Sequence, residues 1–210
     1  MLGHTPVALE KIQLQQFASH LLSWNQQYNL IGPAAVTSLL DRHILDSLTL
    51  LPFLTTPAKI ADMGSGAGFP GMILAIMSDS SRQFHLYESS QKKARFLNFI
   101  VTELQLKDRV TIQCQRIESP SQQTGSYDFV TSRALGDLQL IAKLSRHLLH
   151  PNGISLALKG RSVHEELSRL MASSEARHFH APKLFPSPGN GDGVIIQMQK
   201  VSRETSGSKR

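Results

Sequence analysis

The 210-residue chain has a single cysteine, Cys114. One thiol cannot form an internal disulfide, so the sequence fits a reducing compartment. No apolar run approaches the roughly 18 residues that a membrane-spanning helix requires. The opening stretch MLGHTPVALEKIQLQQ lacks the basic start and continuous apolar segment of a secretory leader. Nine histidines are present, yet none falls in a ligand spacing such as H-x-x-x-H with a third partner. These absences predict a cytoplasmic protein with no membrane association, no disulfide framework and no metal. Acidic residues are also in deficit, with 16 Asp and Glu against 22 Lys and Arg, for a net charge of +6. A polyanionic partner is one consequence of such a surplus.

What is present is a core. Apolar residues make up 40% of the chain and charged residues 18%, a balance that excludes global disorder. Leu14, Phe17, Leu21, Trp24 and Tyr28 recur at helical steps, and Gly32-Pro33 ends that helix. Val36, Leu40, Ile44, Leu48 and Leu51 predict a second helix, stopped by Pro52. Beyond residue 55 strands and helices alternate. The strands are AKIADM, QFHLYE, RVTIQCQ, YDFVTS and ISLALK, followed by ARHFHAPKLF and GVIIQMQK. Helices are expected over GMILAIMS, QKKARFLNFIVTELQL, LQLIAKLSRHLL and VHEELSRLM, and a turn at 151–153. Cys114, within the third strand, is expected to be a small core residue. Alternating strands and helices predict a parallel sheet covered on both faces, and the last two strands are too close for a crossover, so they should form an antiparallel hairpin. The expected organisation is an N-terminal helical segment over 1–55, an α/β domain over 56–200 and a flexible tail over 201–210.

The chemistry centres on ADMGSGAGFPG, residues 61–71. Gly66, Gly68 and Gly71 match the G-x-G-x-x-G of a dinucleotide loop, so one reading is an NAD-dependent oxidoreductase. With Asp62 and Gly64 the string is D-x-G-x-G-x-G, the first motif of class I S-adenosylmethionine-dependent methyltransferases. That cofactor has no phosphate; its amino-acid end is zwitterionic, and Asp62 at the strand tip is suited to receive the ammonium. Glu88, at the end of the second strand, is suited to a ribose in either reading. A closing antiparallel hairpin after five parallel strands, and no second nicotinamide-binding half, favour the methyltransferase. A non-catalytic RNA-binding module on the same fold is a further alternative. Arg133, following the fourth strand, is placed to grip a cofactor carboxylate or an RNA phosphate. Asp128 is expected to cap or edge its strand.

The strings YNLIGP, RHILDSL, ADMGSGAGFPG, YESSQKKARFL, QRIES, VTSRAL and ALKG occur in the order and spacing of the RsmG (GidB, glucose-inhibited division protein B) family, which the chain resembles over about 24–160. The resemblance implies a Rossmann-like, mostly parallel seven-stranded sheet with an N-terminal helical segment. It implies S-adenosyl-L-methionine as cofactor and methylation of guanine N7 in 16S rRNA, as naked RNA, 30S subunit or assembly intermediate. It carries cofactor contacts to Gly64, Phe69, Ile117, Glu118 and Arg133, and Glu88 matches its acidic position after the second strand; Asp62 and Gly66 join them from the loop motif. It places the His43 helix at the mouth of the site, where His43, Arg133 and Lys159 would position substrate without a general base. A monomer is expected. Ile31 and Gly136-Asp137 depart from the family's pattern.

If the surplus positive charge faces RNA, the affinity of the purified protein for 16S rRNA falls steeply with salt. Each neutralised phosphate contributes about 0.7 to 0.9 to the log–log slope. A slope near zero in a filter-binding titration contradicts an electrostatic RNA surface.

Overall fold

The computed structural model describes residues 8–55, 57–117, 125–160, 162–187 and 193–202. Helix α1, Ala8–Tyr28, leads into a short α2, Pro33–Thr37, a π-helical turn over Leu39–Ile44 and α3, Leu45–Leu48. Next come β1 (Ala58–Met63), α4 (Gly71–Ile76), β2 (Arg82–Tyr87), α5 (Gln91–Glu103), β3 (Val110–Gln113) and β4 (Tyr127–Arg133). The chain continues through α6 (Leu138–Leu148), β5 (Leu149–Lys159), α7 (Val163–Ala172), β6 (Lys183–Pro186) and β7 (Val194–Gln199).

The seven strands form one sheet in the order β3-β2-β1-β4-β5-β7-β6. The first five run parallel, and β7 inserts antiparallel between β5 and β6. Connections from β1 go one way to β2, whereas β4 lies on its other side. The carboxyl ends of β1 and β4 therefore flank the point where the winding reverses, the place where open α/β sheets hold ligands. Alternation along each strand divides the core. Ile60, Phe84 and Leu86 join Phe17, Ile73, Phe96 and Ile100 on one face; Ala61, Met63 and Tyr87 join Leu138, Ile141 and Leu170 on the other. The helical segment is part of the first cluster through Phe17, Leu21 and Leu30. No helix among the described residues is long and apolar enough to cross a membrane.

Four expectations are corrected. The second helix is not continuous. The hydroxyls of Thr37 and Ser38 both donate back to the Ala34 carbonyl, at 3.0 and 2.7 Å, and the backbone leaves the helical region at Ser38. Such local bonds compete with the helix ladder, and the chain resumes in the wider π-helical turn. Cys114 is exposed, because strand pairing stops at Gln113. The turn expected at 151–153 is a bulge inside β5, between the pairs Tyr127–Leu149 and Phe129–Ile154. Of ARHFHAPKLF only the last three residues, 183–185, enter a strand, β6; Phe179 makes an isolated bridge to Lys200, and Ala176–His178 forms a 3-10 turn. The expected tail lies outside the described residues except for 201 and 202.

Phe17 is fully buried and meets Phe69 of the Gly-rich loop edge-on at 5.6 Å and Phe96 of α5 at 6.1 Å. Phe17→Ala is expected to destabilise the fold by about 3–5 kcal/mol in urea titrations, as buried Phe truncations do. A loss within experimental error contradicts the placement of α1 on this core.

Candidate cofactor and substrate site

The Gly-rich loop follows β1 and folds back onto the end of β2. Ser65 N–H donates to the Tyr87 carbonyl at 2.9 Å, and Gly68 and Phe69 N–H both donate to the Ser65 carbonyl. Gly64 and Gly68 take left-handed φ values of +70° and +110°. A side chain at Gly64 would also drive its Cβ to 2.7 Å from Leu135 Cδ1. Beyond Gly66 the space is open, with no atom nearer than 3.9 Å to a built Cβ.

Asp62 holds this loop from behind. It is fully buried, accepting from Thr131 Oγ1 at 2.8 Å and from Gly71 N–H, the first residue of α4, at 3.1 Å. The absence of a Cβ at Gly71 makes this possible, since one would stand 2.6 Å from Asp62 Oδ2. Burial pushes the Asp62 carboxyl up to about 6, against the pull of the Ser65, Thr131 and Gly71 hydrogen bonds. Asp62 is thus a brace beneath the loop: each oxygen is engaged once and the side chain is out of solvent, so the expected contact with the cofactor ammonium would fall to a spare lone pair and not to an open face.

Glu88 lies at the carboxyl end of β2, 7% exposed. Its Oε2 accepts from Gly66 N–H at 2.8 Å and its Oε1 from Ser90 N–H at 2.7 Å. Each carboxylate oxygen has a second lone pair, so the group that pins the loop can also accept from a diol. Ile117 is partly buried against the second core cluster. Glu118 lies outside the described residues.

On the other side of the loop the π-helical turn brings His43 over Phe69, with ring centroids 5.2 Å apart and planes at 37°. Arg133 Nη1 donates to the His43 carbonyl at 3.4 Å. Burial, then the charges of Arg133 and Arg42, lower the His43 pKa to about 4, so its imidazole is neutral at physiological pH. Asp46 stands one helical turn further on. Burial raises its carboxyl pKa, while Arg133, Arg42 and the Ser187 hydroxyl hold it down. Arg133 is itself pulled down by burial and supported by Asp46.

Lys159 is not part of this mouth. Its ammonium donates to Glu166 Oε2 and to the Gly136 carbonyl, both at 2.6 Å, and the two side chains of the ion pair are 9% and 8% exposed. Glu166 also accepts from Leu138 N–H and Ser162 Oγ. Lys159 thus ties β5 to the starts of α6 and α7, which corrects its expected role toward RNA. The departure at Gly136-Asp137 is explained by the same corner. Gly136 has φ +155°, and Asp137 caps α6 by accepting from Leu140 N–H at 2.9 Å. Ile31 N–H is held by Asn25 Oδ1 at 2.8 Å. Asp128, the second residue of the interior strand β4, accepts from Lys59 N–H at 2.7 Å and pairs with His150 at 2.8 Å. Lys92, at the start of α5, donates to the Tyr28 carbonyl at 2.7 Å. Thr131 and Leu135 escaped sequence reading. Only the β1–β4 register, which sets Asp62 beside Thr131, could have pointed to the first.

The site fits S-adenosylmethionine. Gly64, Gly66 and Phe69 line a backbone surface open beyond Gly66, and Glu88 offers a carboxylate at its rim. The antiparallel β7 inserted in the sheet separates the fold from the two-halved NAD arrangement. Fold and loop define a class I S-adenosylmethionine-dependent methyltransferase. Solved structures agree on the fold. A SAM-dependent methyltransferase from Aquifex aeolicus aligns with TM-score 0.62 at 14% identity, covering 82% of this chain and 100% of that one. A methyltransferase from Geobacter sulfurreducens aligns with TM-score 0.57 at 16% identity, covering 89% of each chain. Within that class the sequence is more specific. The GidB family, described as rRNA small subunit methyltransferase G, matches residues 10–185. Proteins named ribosomal RNA small subunit methyltransferase G are similar to it: one from Halorhodospira halophila is 44% identical, covering 90% of this chain and 87% of its own length. One from Paramagnetospirillum magneticum is 36% identical, covering 96% and 93%. The chain belongs to the GidB family.

Gly64→Val is expected to weaken S-adenosylmethionine binding about tenfold or more, through backbone strain and the clash with Leu135. Calorimetry checks this beside a circular dichroism spectrum that stays folded. Unchanged affinity in a folded variant removes the loop from the cofactor site.

Proposed function

We propose that this chain transfers a methyl group from S-adenosylmethionine to N7 of a guanine in 16S rRNA, in the bacterial cytoplasm. The observation that carries the reading is the mouth beside the Gly-rich loop. It holds a neutral imidazole, a guanidinium and a carboxylate, on a chain whose family is described as rRNA small subunit methyltransferase G.

The cofactor, when bound, supplies an electrophilic methyl group on a sulfonium sulfur. Gly64, Gly66, Phe69 and Glu88 would hold it, with Ile117 expected beside them. Guanine N7 carries a lone pair and no proton, so methylation there needs no base. His43 accordingly positions the substrate: its ring extends the Phe69 surface, and its low pKa keeps it from adding a second cation beside Arg133. Rate enhancement comes from holding N7 in line and from control of shifting positive charge. An A-form helix hides its major-groove edge from side chains, so the target guanine lies in a loop or opened segment. A protein working one guanine at a time has no need of a partner copy, which fits a monomer.

The test is single-turnover methyl transfer from labelled cofactor to 30S subunits or 16S rRNA, with the product digested to identify 7-methylguanine. Between about pH 7 and 9, above both the His43 and Asp62 ranges, the rate is expected to stay flat. His43→Ala lowers the rate without altering that profile. A wild-type inflection that vanishes in His43→Ala makes His43 an acid–base catalyst and overturns the mechanism.

A further inference from the structure

A guanine in folded RNA is stacked on its neighbours. Bringing its N7 in line with a methyl donor held inside a protein means taking the base out of that stack, at a free-energy cost that other contacts must offset. Proteins that unstack bases set an apolar side chain, leucine among them, into the gap. Such a side chain is exposed before the nucleic acid arrives and stands beside the place the reacting base must enter.

The π-helical turn meets both conditions. Its His43 ring lies 5.2 Å from the Phe69 ring of the cofactor loop, so the turn borders the entrance. On the same turn Leu40 is 64% exposed, and Leu45, the residue that follows it, is 45% exposed. In an α-helix the Leu40 carbonyl would pair with the N–H of Ile44. Here it accepts from Leu45 N–H, five residues on, so the two leucines stand one wide turn apart. Ile44 is buried in the core, and Leu45 is left outside with Leu40. Arg42, between them in sequence, is exposed as well. We propose that Leu40 and Leu45 form a wedge against the base next to the target guanine, and that Arg42 meets the phosphate joining those two nucleotides. This rests on the rRNA reading and deepens it. An apolar pair with a cation between matches a nucleotide, which offers a flat apolar face and an anionic link. The net charge of +6 favours that occupant over an apolar protein surface. The wedge also adjoins the cofactor loop through His43, so the strand that presents the guanine passes over it.

The experiment uses 16S rRNAs, free or assembled into 30S subunits, built by splinted ligation with 2-aminopurine on the 5′ or the 3′ side of the methylated guanosine. The fluorescence of that base rises when it is unstacked. Binding of the wild-type protein is expected to brighten one of the two RNAs. Leu40→Ala and Leu45→Ala are each expected to lose that brightening and about tenfold in kcat/KM on unlabelled RNA, the scale of one leucine side chain buried. Leu40→Met keeps both. S-adenosylmethionine affinity by calorimetry is retained throughout. The log–log salt slope is also retained in the leucine variants, because an apolar contact releases no counterion, whereas Arg42→Ala lowers it by about 0.7 to 0.9. Brightening that survives in the double leucine variant, whatever its rate, assigns the leucines to a protein neighbour on the subunit and overturns the proposal. Failure of the wild-type protein to brighten either RNA overturns it without any variant, so a variant that does not fold leaves the test intact. Absence of 7-methylguanine from the wild-type reaction on unlabelled RNA would instead remove the proposed function on which the inference rests.

Discussion

The site depends on one buried carboxylate. Asp62 ends its strand fully covered, with one oxygen on the Thr131 hydroxyl of β4 and the other on the Gly71 N–H that opens α4. Burying a charge costs free energy unless hydrogen bonds replace the lost water, and here two elements must be in register to supply them. The brace therefore works both ways. It fixes the start of α4 against the sheet, and so fixes the loop between them. It also makes the loop sensitive to protonation. Asp62 ionises with more difficulty folded than unfolded, so its carboxyl contributes a cost to stability above about pH 6, and that cost is absent below the ordinary carboxyl pKa of 3.8.

With the loop held from behind, its front is free for ligand. Glu88 clamps Gly66 at one side, and His43 continues the Phe69 surface on the other. The segment carrying His43 and Asp46 reaches the loop because the chain breaks its helix at Ser38 and widens into a π-helical turn. Its register on Phe69 is thus set by two hydroxyls one turn earlier. Phe69 and Arg133 meet the same residue, Phe69 through the His43 ring and Arg133 through the His43 carbonyl.

Much of this was legible in the chain. Alternation and helical spacing gave the strands and most helices, because a half-buried strand and an amphipathic helix leave different periods. The Gly-rich string and Glu88 marked the loop and its rim. Direction was not legible. Asp62 reads as a ligand-facing acid, and only the absent Cβ of Gly71 and a threonine 69 residues away turn it inward. Lys159 reads as a cation at a crevice edge, whereas Glu166, on the next helix, captures it. The apolar spacing from Val36 to Leu51 cannot distinguish a continuous helix from one interrupted by a hydroxyl. Cys114 sits one residue past the last strand pair, a boundary that periodicity leaves uncertain by that much.

The central claim is that this braced loop and its mouth serve methylation of one guanine in the small-subunit RNA. Its most direct measurement is a map of 7-methylguanine across 16S rRNA from cells with the protein, without it, and complemented with the chain. The account predicts one 7-methylguanine that disappears on deletion and returns on complementation. A 7-methylguanine pattern identical in all three would contradict it.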